Sequence, residues 1–402
     1  MEGRRRMAWA ESRRGGSEKF SVGVRIICYL TTFSGGFYFA NIGGNRPLKF
    51  RLLSWRTLWS LILIGALIYN RYRQYTDSKE FFEAGLKANF FSETDVKANY
   101  VQLFVLFLAA LLSIVYWIVR GQALCDLFDE AWELDRQMGT DERRRWLWVV
   151  GSVVSSSVFA VVVAFGSPAV KISAWKALDV FALVVVGLNG VTQPLLYAWL
   201  SSQIVRFQQH MMTEMREQRT TGEEWQEERN RLESLTKKLN RTYGPLAIIH
   251  LARDAVLVSI VVFLFIRSVA AYGLGALMMV TLCTASVCFV VPILIFHLAA
   301  EQVTIQEDLL WRTTAAACTA AGVKISVESP NGTLSHLDIP TSRKENRLLM
   351  EADGCYKLRR IRPTAAGFFG LGHGPLAELT DVILTYLIVL FQFSQDDYKL
   401  SG

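Results

Sequence analysis

The last apolar segment of the chain carries side chains whose types and spacing suit a pore. It ends in Thr385 and Tyr386, five large apolar residues, and then Gln392 and Phe393. An amide that is buried in lipid without a partner is costly, so a Gln at this position predicts a wet or protein-lined environment. On a helix, Val389, Gln392 and Phe393 share one face with Thr385 or Tyr386, which lie one turn lower.

That face could form a channel gate. In a ring of such helices, Phe393 or Val389 would exclude water when the ring is narrow, and the Gln392 amides could replace hydration when it widens. The alternative is that Phe393 is an interfacial aromatic residue and Gln392 bonds to a neighbouring helix. Asp396 and Asp397 follow directly. They would concentrate cations at an outer pore mouth, or belong to a solvated tail.

The rest of the chain is organised as a polytopic membrane protein. It has 402 residues, of which 51% are hydrophobic, and the apolar residues gather in long blocks between charged blocks. This pattern predicts an all-α fold. We expect seven transmembrane helices, at 52–69, 101–119, 146–165, 177–200, 246–266, 272–300 and 376–393.

Basic residues predict the orientation of these spans. With the N-terminus inside, the inner segments hold 34 of the Lys and Arg residues and the outer segments hold 8. The positive-inside rule therefore predicts a cytoplasmic N-terminus and an extracellular C-terminus. The expected regions are a cytoplasmic arm (1–51), six spans (52–300) with a cytoplasmic helical loop (201–245), cytoplasmic anchor helices (301–375), the seventh span (376–393) and an extracellular tail (394–402).

Several segments outside the spans have a predicted structure of their own. Charged residues at helical spacing predict that the fourth and sixth spans continue as helices along 201–243 and 301–320. Turn-forming residues predict a flexible loop at 323–340, and a cap sequence predicts a helix over 341–362. Segment 20–39 is only mildly apolar and is interrupted, which predicts a short interfacial helix.

Small residues break the chain directly before the last span, at Gly372, Gly374 and Pro375. They predict a hinge or a sharp helix start at the inner membrane face. An ordinary helix start with Pro in its first turn is an equally good interpretation. The two interpretations are compatible with each other.

Polar residues within or at the outer ends of spans are the default candidates for ligand contact, and helix packing is the alternative for each. They are Tyr100, Gln102, Trp175, Asp179, Asn189, Gln193, Arg267 and Tyr272. Asp179 and Arg267 have similar predicted depths and could pair or orient a polar ligand. Near the inner face, His250, Arg253 and Asp254 suit an intersubunit polar network or contacts of the anchor helices.

No motif of a known catalytic or cofactor site is present. The chain lacks a Walker loop, a nucleophile elbow and a dinucleotide fingerprint, and its five histidines are scattered without ligand spacing. We therefore expect no enzyme activity, no cofactor and no bound metal.

Residues 385–393 resemble the C-terminal motif of the insect gustatory receptor family, a branch of the insect chemoreceptor superfamily. That motif is Thr-Tyr, five hydrophobic residues and Gln-Phe at the end of the seventh span, and the chain matches it without departure. The preceding Gly367-Phe368-Phe369 also looks like the family's approach to this span. The predicted topology agrees with the family along nearly the whole chain.

The resemblance implies a ligand-gated, non-selective cation channel that is a homo- or hetero-tetramer with other gustatory receptors. It places four seventh helices around one pore, with gate and filter in the 385–393 motif. It also implies a ligand pocket in the outer half of each subunit and an anchor domain at the cytoplasmic ends of helices four to seven. The implied partners are a small-molecule tastant, membrane lipid and permeating cations, but no nucleic acid, at the plasma membrane of chemosensory neurons.

Other interpretations predict different features. An odorant-receptor-type channel subunit of the same superfamily remains an alternative, although the Gln392-Phe393 ending favours the gustatory branch. A G-protein-coupled receptor would have its N-terminus outside, whereas the basic residues here predict an N-terminus inside. A transporter would show two related halves, and the sequence contains no such repeat. In the sugar-sensing branch of the family that the chain resembles, an acidic residue directly follows the Tyr of the motif. Leu387 occupies that position here, which disfavours a sugar ligand.

Overall fold

The computed structural model describes residues 22–36, 39–40, 48–51, 54–87, 93–138, 174–217, 222–272, 289–321, 325–328, 334–337, 356–358, 362–365 and 369–400. Nine α-helices dominate this part of the chain, and a π-helical turn (Leu239–Tyr243) joins α6 to α7. The helices are α1 (Val22–Phe33), α2 (Trp55–Lys87), α3 (Glu93–Val119), α4 (Gly121–Met138), α5 (Ala174–Arg216), α6 (Gly222–Lys238), α7 (Gly244–Tyr272), α8 (Val291–Ala321) and α9 (His373–Leu400).

Four stretches of the described residues are long and apolar enough to cross a membrane. They are Glu93–Val119, Val180–Arg216, Glu223–Arg267 and His373–Phe393. They contain the predicted spans two, five and seven and most of span four. Helix α2 contains most of the predicted first span, and α8 contains the end of the sixth. The predicted span 146–165 and most of 272–290 lie outside the described residues.

Local sequence explains why these segments are helical. Helix α3 begins with Glu93 and Asp95, whose negative charges suit the positive end of the helix dipole. Its later residues from 101 onward are uncharged up to its end. Helix α6 has Glu223 and Glu224 in its first turn and lysines in its last turn, which is the favourable arrangement at both ends. Helix α1 has only 12 residues, as expected of a helix too short to span.

The largest hydrophobic core lies where the predicted inner ends of the spans meet α4. Phe128 of α4 stacks on Trp199 of α5, with ring centroids 5.7 Å apart, and on Trp117 of α3 at 6.2 Å. Tyr197 lies 5.2 Å from Phe296 of α8. All these side chains are buried, so four helices share one aromatic core at this level.

A buried ion pair joins the helical extensions of α5, α6 and α8. Arg229 of α6 donates from Nη1 to Glu307 Oε2 of α8 at 2.8 Å, and its Nη2 bonds the other carboxylate oxygen. Gln208 of α5 donates to the same carboxylate at 3.2 Å. Both ionised groups are paired by charge and hydrogen bonds, which is the condition for burying them. The three helices therefore form one packed unit.

Short strands occupy part of the segment before α9 that was predicted to be loop and helix. Strands β3 (Ile325–Glu328) and β4 (Leu334–Leu337) pair antiparallel, and β5 (Tyr356–Leu358) pairs with β3 in parallel. The prediction of a helix over 341–362 is wrong at β5. Tyr-Lys-Leu alternates apolar and basic residues as a strand does, and Gly354 just before it is a poor helix former.

Two further antiparallel pairs are each two residues long. Strand β1 (Phe39–Ala40) pairs with β2 (Lys49–Phe50), and β6 (Thr364–Ala365) pairs with β7 (Phe369–Gly370). Asn240 binds the backbone on either side of Pro363, at the start of β6, since it donates to the Arg362 carbonyl and accepts from the Thr364 amide, both at 3.0 Å. The approach to α9 is thereby attached to the π-helical turn.

Candidate functional site

The start of α9 is bound by two side chains of α8. Gly372 has a φ of 145°, a conformation that L side chains rarely adopt. A Cβ there would lie 2.5 Å from Oε2 of Glu301. His297 Nδ1 lies 2.9 Å from the Gly372 carbonyl oxygen and 3.2 Å from its amide nitrogen. The His373 amide donates to Glu301 Oε2 at 3.1 Å. The first residues of α9 are thus bound directly to α8.

The predicted hinge residues have distinct surroundings. A Cβ on Gly374 would meet no atom within 4 Å, so space does not require glycine there. Pro375 lies in the first turn of α9, where its missing amide hydrogen costs no helical bond. Of the two glycines, the geometry therefore requires glycine only at Gly372. The chain turns at this residue, and α9 then begins as an ordinary helix with Pro375 in its first turn.

One face of α9 packs on the rest of the chain. Leu387, Leu390 and Phe391 contact a small buried cluster formed by α3 and α7. The ring of Phe391 meets Phe263 edge-on, with centroids 5.3 Å apart. This contact fixes which side of α9 faces the rest of the chain.

The predicted gate residues lie on the remaining surface of α9. Phe393, Tyr386 and Val389 are 62%, 57% and 37% exposed, and Thr385 and Gln392 are also exposed. The Thr385 hydroxyl donates to the Asp381 carbonyl within the helix. All five residues are therefore free to face water, lipid or another copy of the chain. Asp396 and Asp397 continue on the same helix, which reaches Leu400, and their side chains lie outside the described part of the chain.

The ligand candidates divide into two groups that the structure does not bring together. In the first, near the predicted outer ends, Arg267 pairs with Asp95 of α3, and Nη2 lies 3.3 Å from Oδ2. Sequence reasoning missed Asp95, although an acidic residue in the first turn at the outer end of α3 was a signal for it. The side chains of Trp175, Asp179 and Tyr272 lie outside the described residues, so the expected Asp179–Arg267 pair stays a prediction.

Two more candidates belong to this outer group. The ring of Tyr100 lies 5.3 Å from that of Tyr75, and its carbonyl accepts a hydrogen bond from Arg71 at 3.4 Å. Gln102 is half-buried two residues further along α3. The first group therefore lines the interface of α2, α3 and α7.

The second group lies deeper and is fully buried. Asn189 of α5 has no hydrogen-bond partner among the described residues for either amide atom. Gln193 accepts from the Tyr243 hydroxyl at 2.9 Å. Tyr243 gave no signal in the sequence, because its partner is 50 residues away.

Beside these residues lies a buried ion pair on α7. Arg253 donates from Nε to Asp254 Oδ1 at 2.7 Å, and its guanidinium lies against Gly190 of α5. His250 Nε2 lies 3.0 Å from the Ser113 hydroxyl of α3. We name Ser113, Asn189, Gln193, His250, Arg253 and Asp254 the deep polar cluster. Its members are between 0% and 3% exposed, so the expectation of an intersubunit network there is wrong.

Comparison with known proteins identifies the family. The model of the 7tm chemosensory receptor family matches residues 24–307. The chain belongs to the 7tm chemosensory receptor family. The match spans α1 to the middle of α8, so the motif in α9 is an independent observation. No curated protein sequence matches the chain.

Solved structures show the same fold for this chemosensory receptor. The insect olfactory receptor OR5 from Machilis hrabei in complex with eugenol superposes with a TM-score of 0.60. OR5 solved alone gives 0.56. Both are 13% identical to the chain, with 92% of this chain and 97% of the other covered. The fold is thus a multi-pass helical membrane fold.

Proposed function

We propose that the chain is a gustatory receptor that acts as a tastant-gated, non-selective cation channel, with α9 lining the pore of a tetramer. The observation that carries this proposal is the division of α9 into two faces. Leu387, Leu390 and Phe391 pack inward, whereas Val389, Gln392 and Phe393 are left exposed. A pore-lining helix requires this division, because one face must bind its own subunit and another must face the axis.

Gating follows from the chemistry of the exposed face. Four Phe393 rings and four Val389 side chains around one axis form a hydrophobic constriction that water and ions do not cross. Rotation or spreading of α9 brings Gln392 towards the axis, where its amide oxygen replaces part of the hydration shell of a cation. Asp396 and Asp397 then raise the local cation concentration at the outer mouth.

Ligand binding is coupled to this gate through α3 and α7 in the proposed mechanism. A tastant that contacts Tyr100, Gln102 or Arg267 changes how α3 and α7 pack at their outer ends. These helices carry the cluster on which Leu387 and Phe391 rest. The bonds of His297 and Glu301 to Gly372 and His373 connect α8 to the other end of α9. Both ends of the pore helix are therefore in contact with elements that can move.

The remaining expectations extend this proposal. The ligand is a small molecule, the permeating ions are cations, and the site of action is the plasma membrane of a chemosensory neuron, with homo- or hetero-tetrameric assembly. An odorant-receptor-type channel is the second candidate, and the fold shared with OR5 supports it equally. The intact Gln392-Phe393 ending favours the gustatory branch.

Current recording tests the proposal. The full chain is expressed in oocytes and exposed to a tastant panel, and a ligand-evoked cation current is expected. Gln392→Ala should change ion selectivity, and Phe393→Ala should raise the basal leak because the hydrophobic ring is lost. Leu384→Ala is the matched control, since Leu384 is also exposed but lies half a turn away from Phe393.

Two results would contradict the proposal. One is surface expression in which a C-terminal label is accessible only from the cytoplasm, which would reverse the predicted topology. The other is a panel response that Gln392→Ala, Phe393→Ala and Leu384→Ala leave equally unchanged, which would separate α9 from the permeation path.

A further inference from the structure

A cavity of about 310 Å³ lies between α1 and the first turns of α2, and none of its lining residues is a candidate ligand residue. Aromatic rings form most of its wall, and one guanidinium reaches into it. Its lining residues are Tyr29, Thr32, Phe33, Trp55, Arg56 and Trp59. Neither the proposed gate nor the proposed tastant site uses any of them.

One nitrogen of the Arg56 guanidinium lacks a hydrogen-bond acceptor among the described residues. This atom, Nη1, is buried. A buried charged donor without an acceptor costs more than a neutral one, so an anionic group in the cavity would relieve that cost. The lining residues include no acidic side chain. The Thr32 hydroxyl donates to the Cys28 carbonyl at 2.8 Å, and Trp59 donates to the Phe33 carbonyl at 3.0 Å.

The aromatic wall suits the boundary between headgroups and acyl chains. Trp55 is 71% exposed and Tyr29 is 53% exposed, although both are large and largely apolar. Exposed Trp and Tyr side chains in a membrane protein typically lie at this boundary, where the ring is half in water and half in lipid. The charge distribution places this end of α2 at the cytoplasmic leaflet, and the exposed Arg51 adds a second positive charge nearby.

An apolar strip leads away from the cavity along α2. Leu58, Leu61 and Ile62 are all exposed on this helix, within two turns of Arg56. A soluble anion would leave this apolar strip uncovered, whereas an acyl chain would bury it. The combination of a guanidinium with an unpaired Nη1 atom, an aromatic rim and an apolar strip matches the three parts of a phospholipid.

We propose that this cavity is a binding site for an anionic phospholipid of the inner leaflet. The lipid phosphate accepts hydrogen bonds from Arg56, the headgroup rests among Tyr29 and Trp55, and one acyl chain lies along Leu58, Leu61 and Ile62. Guanidinium groups bind phosphate oxygens through charge-assisted hydrogen bonds. Anionic lipids of the cytoplasmic leaflet are also attracted to basic residues near the membrane. The lipid holds α1 against α2.

Lipid retention by the purified full chain tests the site and does not depend on channel activity. The protein is placed in nanodiscs with equal amounts of phosphatidylcholine and phosphatidylglycerol, and retained lipid is identified by native mass spectrometry. The unmodified chain should retain phosphatidylglycerol preferentially. Arg56→Gln should reduce that preference about tenfold, the scale of one lost charge-assisted bond.

Arg120→Gln is the matched control, because Arg120 is an exposed arginine at the predicted inner end of α3 that does not line the cavity. It should leave lipid retention unchanged.

A second variant, Tyr29→Glu, retains Arg56 and gives it an acidic partner within the protein. Since Tyr29 is exposed, the fold should tolerate the change, and phosphatidylglycerol should again be lost.

Three results would overturn the proposal. Equal retention by the unmodified chain and Arg56→Gln would show that the cavity does not select anionic lipid. Full competition by glycerol phosphate, which lacks acyl chains, would show that the occupant is a soluble anion. A changed oligomeric state in Arg56→Gln with unchanged lipid would show that a second copy of the chain covers the cavity.

Discussion

Gly190 shows at the scale of single residues how closely the deep polar cluster is packed. A Cβ there would lie 2.6 Å from Nη1 of Arg253, a distance that real side chains do not show. We predict that Gly190→Ala displaces the guanidinium and lowers the free energy of unfolding by about 1–3 kcal/mol. Thermal unfolding of the purified protein measures this. Gly65→Ala is the control, since a Cβ on Gly65 would meet nothing within 4 Å. Equal melting temperatures for the two variants would contradict the packing argument.

The Arg253–Asp254 pair makes a second prediction at this scale. Both residues are almost fully buried, so removal of one leaves the other charge uncompensated. We predict that Asp254→Leu destabilises the protein by about 3–5 kcal/mol, and that the double variant with Arg253→Met recovers most of the loss. Chemical unfolding of the two variants and of Arg253→Met alone completes a double-mutant cycle. If the losses in unfolding free energy of the two single variants simply add in the double variant, the two side chains do not interact.

At the scale of elements, the connection between α8 and α9 depends on one glycine. Gly372→Ala would have to adopt a φ of 145° and to displace Glu301 from the His373 amide. We predict a cost of about 1–3 kcal/mol, confined to the start of α9. Hydrogen exchange should therefore become faster at 373–380 and stay unchanged in α5. Gly374→Ala has free space and should exchange like the unmodified chain. Equally faster exchange in both variants would contradict the argument from the φ of Gly372 and its contact with Glu301.

The elements differ in how far the sequence predicts them. Long, predominantly apolar blocks predicted α3, α5 and α9, because a stretch of about 20 mostly apolar residues is typical of a membrane-spanning helix. The strand at Tyr356–Leu358 was not predictable with the same rules, since three residues carry almost no periodicity and its partner lies 31 residues away. The amphipathic division of α9 was predictable from residue spacing, but which face would pack inward was not.

At the scale of the whole molecule, contacts between distant helices decide the site. Depth along the spans suggested Asp179 as a partner for Arg267, whereas the contact with Asp95 follows from the packing of α3 on α7 and was not predicted. In the same way, the deep polar cluster lies inside one chain because α5 crosses α7 at Gly190, where a larger residue would not fit. Sequence spacing specifies the depth of a residue in a membrane helix but not the neighbour it faces.

The proposed fourfold assembly leads to a prediction about which residues meet between copies. If four α9 helices surround one axis, position 393 lies near the axis and position 384 faces half a turn away. We predict that Phe393→Cys forms disulfide-linked dimers on mild oxidation of membranes, whereas Leu384→Cys does so much less, because a disulfide requires Cα atoms within about 7 Å. Non-reducing gels of the full chain measure the linked fraction. Among the described residues the native Cys28 and Cys125 are buried and should not react. Stronger linkage through position 384 would place a different face of α9 at the axis and would exclude Phe393 as the gate.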